Sequence, residues 1–213
     1  MTQYIAYSYF YTVNSPMPSW YREIMKDYFE WKTPEYFRRY LNANVVIYPA
    51  RYAIISRALP ENDLLDYFLG INKQINAGND SVIMMTDIPN IDELCPPCVG
   101  ENFYREQPNV AWASVMNWEQ VDQIARGNIR LRKQIAIRGV DGVRGFVTAQ
   151  HEITHYVLLN EGGEELSRKI DGGILSGLVY MNDELIPDVR GEYAFQRVRP
   201  DMPYHSRMGA YHI

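Results

Sequence analysis

Positions 146–160 constrain this chain more tightly than any other stretch, because they ask one helix to keep a dry face and a polar face at once. At 100° per residue, Phe146, Ala149, Ile153, Tyr156 and Val157 cluster within about a third of the circumference, and His151 and His155 fall on the opposite side. Such a helix packs through its apolar stripe and presents its polar groups to a cleft. Residues four apart share a face, so the two imidazoles of Gln150-His151-Glu152-Ile153-Thr154-His155-Tyr156 can reach one cation. Zinc is the expected ion (Zn2+). It would acidify a bound water and polarise a carbonyl, with Glu152 as the general base that passes the proton to a leaving amine. With only four histidines in the chain, His-Glu-x-x-His arises by composition alone about 0.005 times per chain of this kind. The bland alternative is two hydrogen-bonded structural histidines and a surface glutamate.

The rest of the chain alternates strand and helix signals. Residues 3–13 place Ile5, Tyr7, Tyr9, Tyr11 and Val13 on one face and Tyr4, Ala6, Ser8, Phe10 and Thr12 on the other, the period of a strand. Beyond Asn14-Ser15-Pro16-Met17-Pro18, Ser19 is placed to cap a helix running through Trp31, with Trp20, Tyr21, Ile24, Tyr28 and Trp31 as its core stripe. Thr33-Pro34-Glu35 reads as the cap of a second helix ending near Leu41. Val45–Tyr48 is a short strand, residues 51–58 are ambiguous, and residues 60–75 form a helix that stops near Gly78. Two strand runs follow at 81–87 and 109–116, placed to pair antiparallel across an irregular stretch rich in proline. Asn117 and Gln120 form a capping-box signature for a helix from Trp118 to about Ile137, weakened at Gly127. Asp141 can cap the helix that carries the two histidines, expected from Gly142 to about Asn160.

His151-Glu152-Ile153-Thr154-His155 resembles the zinc-binding helix of the zincin metallopeptidases. That resemblance spans residues 81–161 in element order and five residues as a motif. It implies an α+β zincin-like fold whose mixed β-sheet packs an antiparallel edge strand on the active-site helix and lines the substrate cleft with it; with no internal repeat or Gly/Ser linker, one domain over residues 1–213 is expected. It also implies a third protein ligand. In the metzincin branch the motif continues to a position occupied here by Glu161, with Leu158 where that branch has a turn glycine. In the gluzincin branch the ligand is a glutamate on a later helix, and Gly191-Glu192-Tyr193-Ala194-Phe195 is similar to such a segment. Asp171 and His205 are further candidates. Ser206-Arg207-Met208-Gly209-Ala210-Tyr211 loosely resembles the metzincin methionine turn, and Tyr193, Tyr204 and Tyr211 include candidate oxyanion donors.

Composition narrows the partners. A net charge of −5 and pI near 5.4 leave no basic stripe for a phosphate backbone, so no nucleic acid is expected. Arg126, Arg130, Arg132, Lys133 and Arg138 read as a solvated helix face. No apolar run approaches the roughly 18 residues that span a bilayer and no secretory signal is visible, so no membrane contact is expected and a cytoplasmic location is. The expected partner is a protein or peptide substrate; oligomeric state is not readable. Cys95-Pro96-Pro97-Cys98 reads as a structural loop, either a local disulfide or a reduced pair. Two rival readings stand beside the peptidase: a non-catalytic binding or structural protein on a zincin scaffold, and a thiol oxidoreductase using Cys95 and Cys98.

Overall fold

β1 (Gln3–Tyr11) lies in the interior of the sheet, which explains its unusual aromatic content. Both of its faces must be apolar, and both are buried: Ile5, Tyr7, Tyr9 and Tyr11 enter the main core, while Phe10 enters a second core on the other side. The computed structural model describes residues 1–55, 64–75, 78–89, 91, 98–103, 108–140 and 144–172. Its strands are β1, β2 (Val45–Ile54), β3 (Ser81–Thr86), β4 (Gly100–Phe103) and β5 (Asn109–Ser114), in the order β2-β1-β3-β5-β4. β2, β1, β3 and β5 run parallel; β4 is antiparallel to β5 and closes one edge.

The expected antiparallel pairing of 81–87 with 109–116 is therefore corrected. β3 and β5 pair parallel, with Ser81 opposite Asn109 and Thr86 opposite Ser114. The intervening stretch contains a strand of its own, β4, which reverses the chain twice. Helices separate β1, β2 and β3, which run parallel, and the arrangement is mixed α/β with a five-stranded mixed sheet whose antiparallel edge strand is β4.

The first helical region is continuous where two separate helices were expected. α1 (Ser19–Lys26) passes into a π-helical turn, Asp27–Lys32, and on into α2 (Thr33–Leu41). Pro34 supplies the reason. It lacks an N–H and would press on the carbonyl of Glu30 in a regular α-helix, and the wider π turn absorbs both defects. Thr33 Oγ1 donates to the Tyr28 carbonyl at 2.8 Å, so Thr33 serves the π turn rather than capping a new helix. The extra residue also shifts the phase of the stripe: Phe29 is fully buried, and Trp31, expected in the core, is 68% exposed. Ser19 makes no capping bond; Pro18 holds the N-cap position.

β2 is longer than the four residues expected, because its outer edge tolerates Pro49 and a register shift opposite Tyr7 and Ser8 absorbs it. α3 (Leu64–Ile75) covers the opposite face of the sheet, where Phe68 packs on Phe10 with Met84 and Trp112 in the same cluster. The capping box at Asn117 and Gln120 is formed. The helix it opens is divided, however, into α4 (Trp118–Ala125) and α5 (Ile129–Arg138). Arg126 and Gly127 take left-handed backbone angles, and Asn128 recaps the chain by accepting from the Leu131 N–H at 3.1 Å.

α6 (Phe146–Gly172) carries the histidines and is fixed at its start by Arg144. That side chain donates to Ser114 Oγ at 3.1 Å and to the Asp87 carbonyl at 3.0 Å, tying the helix entry to the carboxyl ends of β5 and β3. Asp87 in turn accepts from the Thr12 N–H and hydroxyl, which brings in the end of β1. The residue proposed to cap this helix, Asp141, lies outside the described residues. So does the segment 56–58, the end of the ambiguous stretch; its beginning belongs to β2.

Candidate functional site

The apolar stripe of α6 docks as its spacing requires: Phe146, Ala149, Ile153, Tyr156 and Val157 all belong to the main core. Phe146 is ringed by Tyr21, Tyr28 and Phe29, with centroids 5.3, 6.2 and 5.6 Å away. The opposite face is not open, as an exposed cleft would require. His151, Glu152 and His155 are 8%, 6% and 4% exposed, and Thr154 and Gln150 are buried with them. The helix is thus enclosed all round, with a polar sector retained inside the protein.

In that sector the two imidazoles converge. His151 Nε2 and His155 Nε2 are 3.1 Å apart, with the rings steeply inclined to one another at 79°. Two nitrogens each about 2.0–2.1 Å from one tetrahedral ion lie roughly 3.3 Å apart. The observed separation fits that bite with the angle closed to about 100°. The same distance also fits one imidazole donating to the other, a geometry set by the tautomers.

Glu152 turns to one side of the pair, toward β4. A Cβ built at Gly100 would lie 2.9 Å from Glu152 Oε1 and 3.2 Å from its Cγ, so the carboxylate passes directly over the glycine of β4. A side chain of the strand also bonds the backbone of the helix. Asn102 Nδ2 donates to the Glu152 carbonyl at 2.8 Å, and Asn109 Nδ2 donates to Asn102 Oδ1 at 2.8 Å. Ser81 Oγ donates to Asn109 Oδ1 at 2.7 Å. A buried polar relay therefore runs from β3 through β5 and β4 to the backbone of the proposed general base. On the other flank of α6, Gln150 Oε1 lies 3.4 Å from Thr33 Oγ1 at the end of the π turn.

The sequence singles out His151, Glu152 and His155; Gly100, Asn102, Asn109 and Thr33, which the fold brings around them, it does not. Gly100 was visible only as a breaker. Truncating Asn109 tests the relay: Asn109→Ala removes the donor to Asn102 Oδ1 and the acceptor of the Ser81 hydroxyl, both buried. Its midpoint in urea is expected to fall by an amount equivalent to about 1–3 kcal/mol, read by equilibrium unfolding.

The helix does not break at Leu158 or Asn160. It runs on regularly until Gly163, whose angles (φ 76°, ψ −173°) interrupt it. This register carries position 161 about 100° away from the direction the histidines share and roughly 9 Å beyond His155. The side chains of Glu161 and Asp171, and all of Glu192, His205, Met208, Tyr193, Tyr204 and Tyr211, lie outside the described residues. Among the described residues, no group of three His, Cys, Asp or Glu side chains is placed to hold a metal ion. Cys98 is disulfide-bonded, and Cys95, the chain's other cysteine, lies outside the described residues. Among the described residues no helix is long and apolar enough to cross a membrane.

Next to His155 in the chain, Tyr156 has the pKa of its phenol raised by burial, while a hydrogen bond with Asn160 opposes the rise. Asn160 itself donates to Gln3 Oε1 at 3.2 Å, joining this part of α6 to the start of β1.

No family model matches this chain, and neither a curated protein nor a solved structure shows a significant match to it.

Proposed function

We propose that the chain is a zinc-dependent peptidase with a zincin-like fold, in which His151 and His155 hold the metal and Glu152 is the general base. The observation that carries this reading is the convergence of the two Nε2 atoms to 3.1 Å beside a buried carboxylate. When bound, zinc supplies an acidified water and a polarised carbonyl. The chain's own residues do the rest. Glu152, held by the Asn102 contact and by the empty space over Gly100, takes the proton from the attacking water and delivers it to the departing amine. β4 pairs on one side only among the described residues, so its outer edge offers backbone groups on which an extended peptide can align as an added strand.

The antiparallel edge strand against the motif helix supports the zincin-like assignment independently of the motif. The third ligand is proposed to come from farther along the chain than Glu161, because the uninterrupted helix turns that position aside. Glu192 is then the leading candidate, with His205 and Asp171 as the others.

The test is metal content followed by peptide hydrolysis. Purified protein is expected to carry about one zinc per chain by elemental analysis, and His151→Ala and His155→Ala each to lose it. Wild-type protein that binds no stoichiometric zinc overturns the reading. The burial of both histidines and their hydrogen-bonding distance favour one rival, a non-catalytic zincin-like protein in which the pair is a structural bond. That rival predicts a stable, metal-free wild type.

A further inference from the structure

The π turn assembles a second group of reactive side chains, apart from the histidines. At about 100° per residue, Asp27 and Lys32 would point roughly 140° apart around an α-helix. The wider turn, bonded from i to i+5, brings them to one side, and Lys32 Nζ lies 3.2 Å from Asp27 Oδ2. A second amine arrives from α5: Lys133 Nζ lies 3.2 Å from the same oxygen. Two amines thus share one carboxylate, at a point where the Lys32 side chain is only 14% exposed. Low exposure and a like charge both favour the neutral form of an amine. Burial first and the Lys133 charge second lower the pKa of Lys32, and Asp27 opposes the fall without cancelling it.

Asp27 and Lys133, the two groups that meet at Lys32 Nζ, also line a groove of about 720 Å³ between α1 and α5. That volume suits a small molecule. Trp20, Ile24 and Ile129 supply its apolar wall. Arg132, farther along it, is taken up by Asp122 and by the Trp20 ring, whose centroid is 5.0 Å from the guanidinium carbon. A half-dry lysine beside a second cation is the arrangement that turns an amine into a nucleophile for carbonyl compounds.

We propose that Lys32 and Lys133 make up an imine-forming site, with Lys32 as the nucleophile and a small aldehyde as its partner, the aldehyde's apolar body resting on Trp20, Ile24 and Ile129. The neutral nitrogen attacks the carbonyl carbon, and the C–N bond forms as the carbonyl π pair moves to oxygen. Asp27 takes the proton that the nitrogen sheds and passes it to that oxygen. The hydroxyl then leaves as water with the second amine proton, and the nitrogen pair closes the C=N bond. No oxidant or reductant enters, and neither zinc nor the histidines take part, so the site stands or falls independently of the peptidase reading.

Reductive trapping tests it. The full chain has five lysines, so each can be followed separately by peptide mass spectrometry after treatment with benzaldehyde and cyanoborohydride at neutral pH. Lys26, exposed on α1, is the internal standard. Lys32 is expected to be benzylated about fivefold faster than Lys26, because each unit by which a lysine pKa falls gives about tenfold more neutral amine, offset in part by weaker nucleophilicity. Lys133→Gln is expected to slow Lys32 about threefold and to leave Lys26 unchanged. Lys133 is partly exposed, so unchanged thermal unfolding verifies the fold of that variant, and Lys133→Met makes the same comparison should the glutamine variant unfold early. Labelling of Lys32 no faster than Lys26 overturns the proposal. So does faster labelling of Lys133 than of Lys32, or a Lys32 preference that survives loss of the second amine.

Discussion

Glu152→Gln is expected to keep its zinc and lose peptide hydrolysis by a factor of about 10²–10⁴, the range that a positioned general base contributes. The substitution keeps the shape of the side chain, so it still fits over Gly100, and the Asn102 bond goes to the Glu152 backbone carbonyl, which the mutation leaves intact. What is lost is an oxygen able to take and return a proton. Stability should change little, because one buried polar group replaces another in the same space, and the amide removes a buried carboxylate that costs free energy to desolvate. Two measurements separate the possible outcomes: zinc content by elemental analysis, and kcat/KM on a quenched peptide library. A variant that holds zinc and cleaves as fast as wild type would remove Glu152 from the chemistry. A variant that loses zinc would show that the carboxylate positions the histidines instead of acting as base.

The contrast between β1 and β4 shows how much of this could be read from the residues. β1 was legible because Ile5, Tyr7, Tyr9 and Tyr11 recur at every second position, and burial on both faces explains its aromatics. β4 was not, because Gly-Glu-Asn-Phe is too short for a period to appear and its buried Asn102 is polar. Losing β4 also reversed the inferred pairing: with one strand missing between them, β3 and β5 looked like neighbours in a long hairpin. In α1 and α2 the residues were assigned correctly to helix, but Pro34 was read as a start signal where it marks a widened turn. The histidine pair itself was fully legible, since four-residue spacing on a helix sets the distance between side chains locally. Its enclosure was not. The polar side of α6 is covered by groups distant in sequence, such as Asn102 and Gly100, and no local pattern encodes them.

Gly100→Ala tests that nonlocal part of the site and is expected to have the second largest effect. The new methyl would lie 3.0 Å from the Trp112 carbonyl oxygen and 2.9 Å from Glu152 Oε1, both inside normal contact distance. The carbonyl belongs to β5, which is paired on both sides, so it resists displacement. The Glu152 side chain has more freedom and must give way. Overpacking of this kind costs about 1–3 kcal/mol, measurable as a lower midpoint of chemical unfolding. A catalytic group displaced by about 1 Å loses on the order of 10²-fold in rate, so kcat is expected to fall by about that factor while zinc content stays near one per chain. The histidines face a different sector of α6 from Gly100, and this is why metal binding and turnover should separate. Loss of stability with unchanged turnover would place the carboxylate away from the reacting atoms. Loss of turnover with retained zinc would tie the edge strand to catalysis through a position where a side chain meets the Glu152 carboxylate.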